Sequence, residues 1–144
     1  TVLAEVLGHN QGPTKLDRCP IDNVVLVDGL RGNCRLESLI LRLSNNLEVV
    51  DREVLATAGA LRENKGLVNL NLCYVIAAAS DETWNVVCDC LKTHPTLQVL
   101  NLRRAKGAPS APARLKSRIQ ALVGMVKVNI SIHTLQVVDH YYEH

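Results

Sequence analysis

The stretch that decides the fold is Leu61-Arg62-Glu63-Asn64-Lys65-Gly66-Leu67-Val68-Asn69-Leu70-Asn71-Leu72, where leucines and one asparagine stand as Leu-x-x-Asn-x-x-Leu-x-x-Leu-x-Leu. Its two halves carry different periods. Leu70 and Leu72 alternate with asparagines, which predicts a short strand with one buried face. Upstream, Val54, Leu55, Ala58 and Leu61 recur at helical spacing and mark one stripe of an amphipathic helix. Read together, the phrase predicts a helix, a tight turn and a strand.

The phrase occurs five times with no internal gap. The other copies begin at Leu7, Leu30, Leu91 and Val126, with Pro13, Leu36, Leu97 and Ile132 at the position of Leu67. From one copy to the next that position advances by 23, 31, 30 and 35 residues. The helical stripe returns as Trp84, Val87, Cys88 and Leu91, and again as Ile119, Leu122, Val123 and Val126. Asp51, Ser80 and Ser110 precede helical stretches as candidate caps, and Pro112 suits a first helical turn. Gly66 suits a left-handed turn at a helix end. Self-similarity at this period signals a solenoid, whose units bury their apolar faces only against their neighbours. Strands pack about 4.8 Å apart and helices about 10 Å apart, so the stack must curve with its strands on the inside.

The phrase and its helix-plus-strand unit resemble the ribonuclease-inhibitor-like leucine-rich repeats. The resemblance runs over nearly the whole chain. It implies an α/β solenoid of about five repeats in a single domain over 1–144, a horseshoe arc with a parallel β-sheet on its concave face and α-helices on its convex face. Members of that class are mostly protein-binding modules, so the resemblance implies a partner protein. The sequence departs from the class pattern after each strand, where Ile21, Ser44, Val75, Ala105 and His140 replace the usual asparagine or cysteine. Pro13 and Arg18 interrupt the leucines of the first copy, which predicts a degraded first strand, and His94 takes the asparagine place in the fourth.

Strand residues that flank the buried leucines point to the open face. That alternation nominates Asp17, Ile40, Asn71, Asn101 and Gln136 as one column across the sheet. A second column is Cys19, Arg42, Cys73, Arg103 and Val138, and a third is Lys15, Ser38, Asn69, Val99 and Thr134. The candidate partner-binding residues are Asp17, Ile40, Arg42, Asn69, Asn71, Tyr74, Val99, Asn101, Arg103 and Gln136. Tyr74 and Arg104, just past their strands, are of the types that anchor interfaces.

Charge is distributed unevenly. Residues 1–90 hold eight Lys and Arg against twelve Asp and Glu, whereas residues 91–138 hold eight Lys and Arg and no acid. Arg103, Arg104, Lys106, Arg114, Lys116 and Arg118 form a candidate anion patch, and nucleic acid is an alternative ligand for it. The patch has no aromatic residue for stacking on bases, so a solvated helix face is the simpler expectation.

No metal site or cofactor is expected. Cys88, Cys90 and His94 lack metal-ligand geometry, because residues two apart on a helix diverge by about 200°. On that geometry Cys88 joins the buried stripe and Cys90 faces away. His140 and His144 share a face only if the tail is helical, and no third ligand accompanies them. No nucleophile-base set or phosphate loop appears, so a non-enzymatic role is expected. Five scattered cysteines favour free thiols in a reducing, cytoplasmic compartment. No apolar run approaches the ~20 residues of a membrane span, and residues 1–7 lack the basic lead of a signal peptide. Neither end shows a polar capping unit. The expectation is a piece of a longer repeat protein, or ends covered by another copy. The function expected is protein–protein interaction through the concave sheet. The alternatives are a GTPase-regulating or actin-associated role, or anion binding by residues 103–118.

Overall fold

A computed structural model describes residues 2–20, 24–42, 50–72, 80–102 and 112–136, and of 18–20, 24–26, 42, 50 and 112–117 it describes the backbone alone. Helix and strand alternate along the chain as α1 (Val2–Gly8), β1 (Lys15–Pro20), α2 (Val24–Leu30), β2 (Ser38–Arg42) and α3 (Val50–Glu63). They continue as β3 (Asn69–Asn71), α4 (Asp81–Leu91), β4 (Val99–Asn101), α5 (Pro112–Val128) and β5 (Thr134–Gln136). The described residues are therefore α/β and make up five helix–strand units. The strands form one open sheet in the order β1-β2-β3-β4-β5, and every neighbouring pair is parallel. Each helix packs against the helix before and after it.

Register explains why the leucines repeat. Leu39, Leu70, Leu100 and Leu135 stand opposite one another across four strands. The first three are fully buried, as are Leu36, Leu67 and Leu97 at the turn before each strand. One apolar cluster runs from Leu7 to Met125 and binds the helices to the sheet. Each fully buried leucine contributes about 2–3 kcal/mol of transfer free energy. The first strand is formed despite Pro13 and Arg18, but its pairing slips between Leu16 and Cys19. As a result Pro20, not Cys19, stands opposite Arg42, which corrects the expected column.

The asparagine of the phrase joins neighbouring units. Asn64 is buried; its Nδ2 donates to the carbonyls of Leu30 (2.7 Å) and Asn33 (2.8 Å) in the preceding unit. Its Oδ1 accepts from the amides of Gly66 and Leu67, both at 2.9 Å, and so holds its own turn. Asn33 does the same with Leu7, Gln11, Arg35 and Leu36. Asn129 repeats it with Leu91, His94, Ser131 and Ile132. A second ladder runs beside this one. The carbonyl of Thr14 accepts the amides of Glu37 and Ser38, that of Glu37 accepts Val68 and Asn69, and Val68 and Gln98 continue the series. The backbone donors at the entrances of β2, β3, β4 and β5 are thus satisfied by the unit before each.

Several sequence expectations are corrected. Leu55 is exposed on the outer side of α3, one position off the buried stripe. Asp51 lies inside α3 rather than before it. Its carboxylate accepts the Ser80 amide at 2.9 Å, and this bond holds its pKa below the usual carboxylate value. Ser80 does cap α4, accepting from the Thr83 amide. Gly66 adopts no left-handed conformation. A β-carbon there would lie 2.6 Å from the Cα and carbonyl oxygen of Cys34, so glycine is required for close approach of two turns. Cys90 is buried as Cys88 is, because α4 packs on both sides, against α3 and α5. Ser110 and the post-strand positions Ile21, Ser44, Val75, Ala105 and His140 lie outside the described residues.

Candidate functional site

Among the described residues, the helices cover one face of the sheet and leave the other open. On the open face Ser38, Asn69, Val99 and Thr134 form one register-matched row, and Ile40, Asn71, Asn101 and Gln136 form the next. All eight keep at least part of their surface exposed. The alternation of strand side chains produces this arrangement, since each buried leucine turns its two neighbours outward. The structure therefore brings together Ile40, Asn69, Asn71, Val99, Asn101 and Gln136 from the sequence-derived set. None of the eight is ionisable. Asp17 and Lys15, both exposed, put charge on β1 alone among these rows, and Asp17 sits where the β1 register slips. Arg42 lies on β2 opposite Pro20, with only its backbone described. Tyr74, Arg103, Arg104 and Lys106 lie outside the described residues, as do Cys73, Val138, His140 and His144.

A polar rim that was not anticipated borders the face at the strand entrances. His133 approaches Gln98 (Nε2 to Oε1, 3.3 Å) and Thr134 (Nδ1 to Oγ1, 2.9 Å). The signal was present in the phrase, because Gln98 and His133 both follow the leucine-type residue that opens the strand.

The helix layer compensates most of its own charge. Arg31 pairs with Glu63 (3.0 Å) and Asp28 (3.3 Å), and the Glu63 hydrogen bond raises the guanidinium pKa further. Arg62 pairs with Asp89 at 3.0 Å, and Lys92 reaches the same carboxylate at 3.7 Å. Arg118, counted above in the anion patch, ion-pairs with Asp81 at 3.0 Å and lies 5.9 Å from the Trp84 ring centre. Its carbonyl also accepts from the Trp84 indole at 2.9 Å. It therefore joins α5 to α4 rather than standing on a solvated face. Arg114 and Lys116 lie on α5 with only their backbone described.

The thiols of Cys34, Cys88 and Cys90 are free, the first exposed and the other two buried. Burial pushes Cys88 up to about 12 and raises Cys90 as well, so both pack as small apolar groups rather than as nucleophiles. Among the described residues no group of three or more His, Cys, Asp and Glu is placed to hold a metal ion. No described helix is long and apolar enough to cross a membrane. A scan of the sequence against protein-family models found no match, and a search of curated proteins found no significant relative.

Proposed function

We propose that this chain is a leucine-rich-repeat module of the ribonuclease-inhibitor-like kind, a solenoid arc that binds another protein on its concave parallel sheet. The observation that carries this reading is the open face itself. Four parallel strands present eight exposed or half-exposed side chains in register, and all eight are uncharged. Strands about 4.8 Å apart beneath helices about 10 Å apart make such a face concave. A surface of carboxamides, hydroxyls and aliphatic groups selects by hydrogen bonding and shape, not by long-range steering. Free thiols at Cys34, Cys88 and Cys90 suit a reducing, cytoplasmic setting. The anion-binding alternative is weaker, since Arg118 already has Asp81. GTPase-regulating or actin-associated roles require partner-specific contacts that no residue here identifies.

The test compares partners recovered by the intact chain with those recovered by an Asn69→Ala, Asn71→Ala, Asn101→Ala variant, with circular dichroism confirming that both are folded. The expected result is loss of specific partners by the variant at least tenfold, with binding by the intact chain tolerant of salt. Equal recovery by both overturns the reading. Steep loss between low and high salt transfers the function to the basic segment.

A further inference from the structure

We propose that Asn129 is an N-glycan acceptor in the unfolded chain alone, so that a glycan there and docking of the fifth unit onto the fourth exclude each other. Asn129-Ile130-Ser131 is the one Asn-x-Ser or Asn-x-Thr triplet of this sequence, and its middle residue is not proline. Such a triplet ordinarily marks an exposed loop. Here its asparagine holds the same turn position as Asn33 and Asn64, which are followed two places on by Arg35 and Gly66. The fold therefore puts the acceptor atom of a modification motif into the ladder that joins units.

Both ends of the motif are engaged in the folded chain. Asn129 is 9 % exposed, and its Nδ2 donates to the carbonyls of Leu91 at 2.8 Å and His94 at 3.2 Å. Its Oδ1 accepts from the amides of Ser131 and Ile132, both at 2.8 Å. The Ser131 hydroxyl donates to the His94 carbonyl at 2.8 Å. Only Ile130, the inert middle residue, is fully exposed. Glycosyl transfer from a lipid-linked oligosaccharide forms a bond from Nδ2 to the anomeric carbon. It breaks that carbon's bond to the lipid pyrophosphate and releases one Nδ2 proton to solvent. The product keeps a single N–H for two carbonyls, and the sugar must enter the space in which those carbonyls approach. The carbonyls belong to the end of α4 and the turn after it, so a glycan parts the fifth unit from the fourth. A chain that folds first is closed to the transferase, and a chain glycosylated first cannot complete the ladder. The open sheet face takes no part in this, so the inference stands or falls apart from the binding proposal.

A purified oligosaccharyltransferase with its lipid-linked oligosaccharide tests the first half, acting on the intact folded chain and on Leu97→Asp. That substitution charges a fully buried core position, and circular dichroism confirms that it unfolds the chain. Leu67→Asp, equally buried, serves instead if helices persist. The unfolded variant should gain one glycan, placed on Asn129 by mass spectrometry. The folded chain should react about tenfold more slowly or less, because only its locally opened fraction presents the amide. Equal rates overturn the inference, as does an unfolded variant that takes no glycan. Translation of the intact chain into microsomes, behind an added signal peptide, tests the second half by supplying chain glycosylated before it folds. Limited proteolysis should cut that product within α5 and the turn after it, and should spare Ser131→Ala made in the same way. Ser131→Ala removes the acceptor motif and keeps all four Asn129 hydrogen bonds. Equal resistance of the two products overturns the inference, since the fifth unit then docks with the glycan in place.

Discussion

The turns that enter β3 and β4 share one phrase position and fill it with different chemistry, Asn64 in the first and His94 in the second. Both side chains are buried, and both accept from the two backbone amides that follow. Asn64 does so at 2.9 Å to each, while His94 Nδ1 manages 3.4 Å to Thr96 and 3.2 Å to Leu97. They differ more on the donor side. Asn64 Nδ2 reaches two carbonyls of the preceding unit, whereas His94 Nε2 is buried with no hydrogen-bond partner among the described residues. The link that His94 fails to make is supplied by its neighbour, since Thr96 Oγ1 donates to the Leu67 carbonyl at 2.8 Å. A flat acceptor at this position is enough to shape a turn; joining units needs a donor as well, and it need not come from the same residue.

The largest effect is expected from Asn64→Ala. It removes four hydrogen bonds at once and leaves the Asn33 carbonyl and the Gly66 and Leu67 amides without this partner, while the Leu30 carbonyl keeps the Asn33 amide. Unsatisfied buried groups cost about 1–3 kcal/mol each, so partial relaxation still leaves a destabilisation of about 3 kcal/mol. The urea midpoint should fall with an unchanged slope. An unshifted midpoint would mean the ladder carries no stability. Gly66→Ala comes next, because the new methyl meets the Cys34 backbone and not a movable side chain. Overpacking of this sort costs about 1–3 kcal/mol. The same substitution at Thr96, the fourth-unit counterpart, should cost about 1 kcal/mol through its hydroxyl alone, and a larger loss there than at Gly66 would contradict the close-approach argument.

These two turns also show how far the sequence could be read. Strand order, parallel pairing and the register of Leu39, Leu70, Leu100 and Leu135 follow from the phrase, because a period of two fixes which face each residue takes. The open-face rows were legible for the same reason. The role of Gly66 was not, since the need for glycine arises from Cys34, a residue 32 positions away that meets it only in the fold. Arg118 and Asp51 were misjudged alike: each looks local in sequence, and each bonds across to α4 or its cap. The stripe Ile119-Val123-Val126 was identified by spacing, but spacing cannot report whether another unit lies on top of it.

His94→Asn makes the fourth-unit turn like the third, with a smaller change in stability than the substitutions above. A carboxamide restores a donor where Nε2 has no partner, which should raise stability by about 1 kcal/mol near neutral pH. The pH dependence distinguishes this from a simple packing change. Burial lowers the pKa of His94 below 6.5. The neutral ring is therefore favoured in the folded state. Above 6.5 neither state binds the proton and the contribution of His94 is complete. As the pH falls below 6.5 the unfolded chain takes up a proton that the folded chain resists, and stability declines. Protonation would also place a proton on Nδ1, against the amides of Thr96 and Leu97 that it now accepts. The expected result is that the gain from His94→Asn grows between pH 7 and about pH 5. A gain that stays constant over that interval would show that His94 does not titrate with folding.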